Sequence, residues 1–205
     1  MSAPAQLRPG QPGRPAHETV ASRDDEPGVT LWFTGLPSAG KSTIAHAVAD
    51  RIAALGERVQ VLDGDAVRPY LSADLGYSKE ARDTNVARIG WVARLLASHG
   101  VTVLVPVIAP YAAARNAVRA DHAAAGVPFG EVYVSTALDV AEQRDVKGLY
   151  AKARRGEISG MTGIDDPYEV PERPELVIDT DEVPLDDAVE ATLAHLSATL
   201  KRPLR

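Results

Sequence analysis

The sequence predicts an α/β fold: three layers, α/β/α, around a central parallel sheet of about five strands. Three observations carry that expectation. Short apolar runs alternate with longer segments of helical periodicity along the chain, as parallel strands and their crossover helices do. One run, VTVLVPVI at residues 101–108, is almost unbroken in β-branched residues, as a strand buried on both faces requires. A Gly-rich stretch, GLPSAGKS at residues 35–42, stands between the first apolar run and the first helical segment.

Taken in order, residues 1–27 mix Pro, Gly and charged side chains without apolar period and read as a disordered N-terminal tail. Residues 28–200 are left for one folded domain, which suits a chain of 205 residues. Val29–Thr34 is the first strand, and Lys41–Leu55 the first helix, stopped by Gly56. Arg58–Leu62 is strand-like and ends at Asp63-Gly64-Asp65. Glu80–His99 is a long helix with Ile89, Val92, Leu95 and Leu96 on one face, ended by Gly100. After the strand at 101–108, Ala112–Ala125 is an Ala-rich helix, Glu131–Ser135 and Glu175–Asp179 are the last strands, and Leu185–Leu200 is the closing helix. Ligands of such sheets bind at the carboxyl ends of the strands, where every motif below falls.

The bulk chemistry excludes several classes. A net charge of −6 and a pI near 5.4 disfavour general binding to nucleic-acid backbones. With no cysteine there is no disulfide, thiolate catalysis or cysteine-held metal, which fits a cytoplasmic protein. No run approaches the roughly 18 apolar residues of a membrane span, and the N-terminus lacks the apolar centre of a signal peptide.

Gly35-x-x-x-x-Gly40-Lys41-Ser42 is a complete P-loop pattern in strand-to-helix context. Its glycines let the backbone wrap a phosphate with N–H groups, and the helix N-terminus adds favourable dipole charge. Gly35, Leu36, Pro37, Ser38, Ala39, Gly40, Lys41, Ser42 and Thr43 are thus the expected ATP cradle, with Lys41 reaching the β- and γ-phosphates and Ser42 ligating Mg²⁺. The chain is short for a motor, and no Asn-Lys-x-Asp guanine-reading sequence marks it as a switch, leaving a small-molecule kinase.

Asp63 and Asp65 follow the second strand, so both carboxylates project into the crevice. Phosphoryl transfer to a hydroxyl wants an acceptor for its proton and an anchor for the metal shell, and two aspartates can divide those tasks. Arg82 and Asn85, three apart on a helix, face the same way. With Arg68, Arg82 can clamp an anion, because guanidinium forks match phosphate and sulfate oxygens. Residues 137–160 carry Arg144, Lys147, Lys152, Arg154 and Arg155 without strand-like alternation, as suits a cationic lid that closes over nucleotide charge and excludes water.

These blocks together, GLPSAGKSTIA, LDGDAVRPYLSADLGYSKEARDTNVARIG, VIAPYAAAR, RDVKGLYAKAR and TGIDDPYE, resemble those of the adenylylsulfate kinases, in order and over roughly residues 28–198. The resemblance implies transfer of the ATP γ-phosphate to the 3′-hydroxyl of adenylylsulfate, with Mg²⁺, on a P-loop fold whose lid spans about residues 138–168. It implies Asp65 as the base at that hydroxyl and Asp63 as an organiser of Mg²⁺. Arg68, Arg82 and Asn85 would hold the phosphosulfate side, with Ile108, Ala109 and Gly160 beside the acceptor. Lys147 would reach the substrate from the lid, and Arg144 would lie near the transferring phosphate. It further implies a homodimer, with functional pairing to a sulfate adenylyltransferase.

The chain departs from the family pattern at three places. Ala109 stands where the family commonly has Ser, so no phosphoserine forms there. Tyr77 supplies one aromatic face for adenine, but Met161 stands where the second is usually Phe. Alanines follow Tyr111 in place of polar or basic residues. A kinase of the same fold for another nucleotide-linked acceptor therefore stays open, as does a non-catalytic nucleotide-binding subunit.

Overall fold

The computed structural model describes residues 26–200 and 204. The predicted tail therefore lies outside the described residues except for Glu26 and Pro27. The elements run β1 (Val29–Thr34), α1 (Lys41–Ala54), β2 (Val59–Val61), α2 (Gly64–Leu71), α3 (Lys79–Ser98), β3 (Thr102–Pro106) and α4 (Ala112–Ala124). They continue with β4 (Phe129–Ser135), α5 (Leu138–Arg144), α6 (Leu149–Arg154), β5 (Leu176–Asp179) and α7 (Leu185–Leu200).

Five strands form one sheet in the order β2-β3-β1-β4-β5, every pair parallel. Alternation along β1 explains the three layers. Leu31 and Phe33 point into one core with Ile44, Val48 and Ile52 of α1 and Leu196 of α7. Trp32, between them, points into the other core with Val86 and Ile89 of α3 and Val118 of α4. Because the strands are parallel, all five end at one edge, and that edge carries residues 35–42, 63–65, 107–109, 136 and 180. Among the described residues no helix is long and apolar enough to cross a membrane.

The structure departs from the sequence reading at two places, one a helix face and one a helix that no periodicity predicts. The face of α3 turned to the core is Val86, Ile89, Gly90, Ala93 and Ala97, whereas Leu95 is 41% exposed and Val92 and Leu96 lie only partly buried. Small residues line that stripe because α4 comes so close that a Cβ on Gly90 would lie 2.7 Å from Val118 Cγ2. The second difference is α2. Its start follows from Asp63, whose side chain accepts the Asp65 N–H as an N-cap. Pro69, which ordinarily discourages a helix, sits two residues before the helix ends.

Candidate active site

The edge of strand ends opens into a cavity of about 680 Å³, within the range of small-molecule sites. On one side lies the Gly-rich turn. A Cβ on Gly35 would come 2.4 Å from the Val134 carbonyl oxygen, so the turn can pass over β4 only with glycine there. Gly40 caps α1 at φ 98, a left-handed conformation that favours glycine, with no side chain on the first N–H groups of the helix. Those donors are left for an anion. Pro37, Ser38, Gly40, Lys41, Ser42 and Thr43 line the cavity. Leu36 instead packs against the helices of residues 138–154, and Ala39 is fully buried.

Lys41 is 7% exposed and donates Nζ to the carbonyls of Gly35 (3.0 Å) and Leu36 (2.7 Å). Burial, with the charge of Lys147 added, pulls its ammonium down to about 7; Asp63 and Asp65 oppose the shift. Ser42 donates its hydroxyl to Asp63 Oδ2 at 2.5 Å. Asp63 thus serves two tasks: one oxygen caps α2 and the other meets Ser42. Asp65 extends from the first turn of α2 into the cavity and pairs with Lys147. Both partners are largely solvated, so a ligand exchanges this pair at small cost.

The opposite wall holds the arginines. Arg68 gives NH2 to the carbonyls of Leu75 and Gly76 and lies 4.3 Å from the centre of the Tyr77 ring. Arg82 donates Nε to the Tyr77 carbonyl, NH1 to Thr162 Oγ1 and NH2 to the Gly160 carbonyl. Here, then, the forks are directed largely at backbone, and they shape the loop that presents Tyr77. Asn85 faces the same cavity, and its Oδ1 is buried with no hydrogen-bond partner. Ile108 and Ala109 line the cavity beyond β3, with Ala109 at φ 44. Arg144 also lines it and donates to Thr180 Oγ1 (2.8 Å) and the Thr180 carbonyl (2.8 Å).

Gly160 and Met161 are not on the cavity wall. Met161 is 6% exposed and packs with Ala141, Tyr150, Leu149 and Ile164 in a small core of its own. Asp165 fixes that turn by accepting the N–H groups of Gly160 (2.7 Å) and Met161 (2.6 Å). The Met161 side chain therefore faces this small core and not the cavity that Tyr77 lines.

Three contributors escaped sequence reasoning. Thr180, at the end of β5, donates to the Ala39 carbonyl at 3.1 Å and shares a 2.7 Å hydrogen bond with Thr136 from the end of β4. Two strand ends thereby brace the Gly-rich turn. Tyr150, 2% exposed on α6, donates to the Pro37 carbonyl at 3.0 Å and joins residues 138–154 to the same turn. An aromatic in an otherwise basic segment is the only signal the sequence offered for it. Tyr168 shares a 3.0 Å hydrogen bond with Thr34, and burial raises its hydroxyl well above the ordinary tyrosine value.

With this geometry in view, known proteins resemble the chain over most of its length. The model of the adenylylsulphate kinase family matches residues 27–179. An adenylyl-sulfate kinase of Synechococcus sp. (strain JA-3-3Ab) is 53% identical over 169 residues, 82% of this chain and 94% of its own. That of Deinococcus deserti is 52% identical over 170 residues, covering 82% of this chain and 91% of its own. Among solved structures, the Mycobacterium tuberculosis APS kinase in complex with AMPPNP and APS superposes with a TM-score of 0.81. It is 45% identical, over 83% of this chain and 98% of that one. The chain belongs to the adenylylsulfate kinase family.

Proposed function

We propose that the protein phosphorylates adenylylsulfate on its ribose 3′-hydroxyl, using ATP and releasing ADP. One observation carries this reading: a single cavity joins the phosphate cradle of Lys41 and Ser42 to Asp65, Tyr77 and the arginine wall. Donor and acceptor nucleotides can meet there end to end, which is most of what phosphoryl transfer asks of a protein.

In this reading the Gly-rich turn and the first N–H groups of α1 bind the ATP phosphates, and Lys41 takes up a proton as they arrive. Tyr77 stacks on the acceptor's adenine, while Arg68, Arg82 and Asn85 hold its phosphosulfate side. Asn85, which lines the cavity, would act there through its Nδ2 N–H groups, because phosphosulfate oxygens only accept. Lys147 leaves Asp65 for substrate phosphate, and the freed carboxylate accepts the proton of the 3′-hydroxyl. The hydroxyl oxygen forms its bond to the γ-phosphorus as the bond from that phosphorus to the β,γ-bridging oxygen breaks, and ADP departs with the bridging oxygen. Arg144 and Lys41 stabilise the charge that spreads over the moving group. Ala109 leaves no hydroxyl to carry the phosphate, so the transfer is direct.

Ser42 and Asp63 would hold Mg²⁺. Their paired oxygens suit it, and no cluster of three or more acidic or histidine ligands exists among the described residues. This ion takes one or two protein oxygens and completes its shell with phosphate and water. When bound, it neutralises phosphate charge and fixes the phosphates relative to one another. Residues 138–168 serve as the lid, and the further expectations follow: a homodimer in the cytoplasm, fed by a sulfate adenylyltransferase.

The test is ADP release by the pure protein with ATP and Mg²⁺, adding adenylylsulfate or, in separate reactions, other nucleotides. Turnover with adenylylsulfate, yielding its 3′-phosphorylated product and abolished by chelation, is the expected result. Activity confined to another acceptor would turn the specificity reading around and make the inward-packed Met161 its first structural mark.

A further inference from the structure

Arg115 of α4 is 2% exposed, lies behind the cavity wall, and does more than balance a charge. Its Nε donates to Glu131 Oε1 at 2.7 Å, a buried ion pair. NH1 donates to the Ala109 carbonyl at 2.7 Å, and NH2 to the Glu169 carbonyl at 2.6 Å. An ion pair alone needs only Glu131. The other two arms reach main-chain oxygens of the cavity wall after β3 and of the segment that follows Met161.

Those two stretches are laced together on either side of the guanidinium. Glu169 N–H donates to the Pro110 carbonyl at 2.8 Å, and Glu169 Oε2 accepts the Ala112 N–H at 2.7 Å. The Tyr111 hydroxyl donates to Asp166 Oδ1 at 2.8 Å. Thr34 donates to the Ile108 carbonyl at 2.6 Å and shares its hydroxyl with Tyr168. Ala109 is held in the middle of this lacing at φ 44, a conformation that alanine adopts only under constraint.

We infer that Arg115 is a positioning residue for the acceptor: it locks the Ile108–Ala109 wall and the C-terminal root of residues 138–168 into one fixed relation. This rests on the kinase reading given above. Arg115 touches neither nucleotide, so its loss displaces the acceptor wall and leaves the ATP cradle, on the other side of the cavity, as it was. A lysine in its place keeps the charge opposite Glu131 but lacks the planar fork that reaches three oxygens.

Arg115→Lys and Arg115→Gln are to be compared with the wild type in two measurements. Glu131 keeps a partner in both, since Arg119 NH2 lies 3.3 Å from its Oε2. Steady-state ADP release gives the two KM values, and trypsin digestion without nucleotide reads cleavage at Lys147, Lys152, Arg154 or Arg155. In folded variants, KM for adenylylsulfate should rise about tenfold while KM for ATP stays within about twofold, the signature of a displaced acceptor wall. Cleavage should be several-fold faster. Equal shifts in both KM values, or unchanged cleavage in a folded variant, overturn the inference. Wild-type protein inactive on adenylylsulfate would overturn the kinase reading alone, with the cleavage rates still deciding whether Arg115 fastens the segment.

Discussion

Binding of MgATP should draw a proton from solution, and the residue responsible is Lys41. Burial, and after it the charge of Lys147, brings its ammonium to about 7 from an ordinary 10.5. ATP phosphates reverse the cause, because a bound anion favours the charged form. At pH 8 Lys41 is then largely neutral before ATP binds, so binding takes up a substantial part of one proton. Above pH 7 affinity should then fall by about tenfold per pH unit, or about 1.4 kcal/mol, until the lysine of the complex itself loses its proton. The sign is fixed by linkage: the complex binds the extra proton, so acid favours it and alkali opposes it. Calorimetry with a non-hydrolysable ATP analogue at pH 8, in buffers of different ionisation heat, counts the protons directly. At that pH the phosphates are already ionised and add little. Removing Lys147 by Lys147→Ala should raise Lys41 and reduce the uptake. Uptake near zero, with affinity flat between pH 7 and 9, refutes the assignment and means that Lys41 is charged before ATP arrives. The same shift makes the protein gain stability, in the absence of nucleotide, as pH climbs from about 7 toward 10.5, because there the unfolded chain holds a proton that the folded one has released.

Three other expectations concern the remaining parts of the machine. Asp65→Ala should lower turnover by about 10²-fold or more, the usual worth of a proton acceptor, while ATP-analogue affinity changes by less than about threefold; equal loss of both would give Asp65 a different role. Gly90→Ala drives a methyl to 2.7 Å from Val118 Cγ2, and such overpacking costs about 1–3 kcal/mol. Thermal unfolding should therefore begin several degrees lower, and an unchanged midpoint would mean that α3 and α4 are not so closely packed. Tyr150→Phe removes the buried hydrogen bond to the Pro37 carbonyl, at about 1 kcal/mol. Faster tryptic cleavage of residues 147–155 is the readout, and an unchanged rate would show that this contact does not tether the segment.

Much of the site was legible because its chemistry is written in short, contiguous stretches. The P-loop pattern requires glycine where a Cβ would come 2.4 Å from the Val134 carbonyl oxygen and where φ is positive, so spacing alone located this turn. Asp63 and Asp65 were legible because they end a strand whose neighbours are all parallel, and a parallel sheet delivers every such end to one edge. The inward face of α3 was harder to read. Periodicity weighs large apolar residues, whereas this helix turns Gly90, Ala93 and Ala97 inward to let its neighbour approach.

The sequence by itself determined the layered α/β architecture, the succession of strands and helices along the chain and the place of the Gly-rich turn, since each depends on local period or on the steric demands of a few adjacent residues. Only the tertiary structure decided what Arg68, Arg82 and Met161 touch, and that Arg115, Tyr150 and Thr180 brace the cavity from behind. Those contacts join residues as far apart as Ala39 and Thr180, or Arg82 and Gly160. A side chain's partner across such a distance is set by how the strands stack and the loops return, and no pattern in the intervening sequence encodes it.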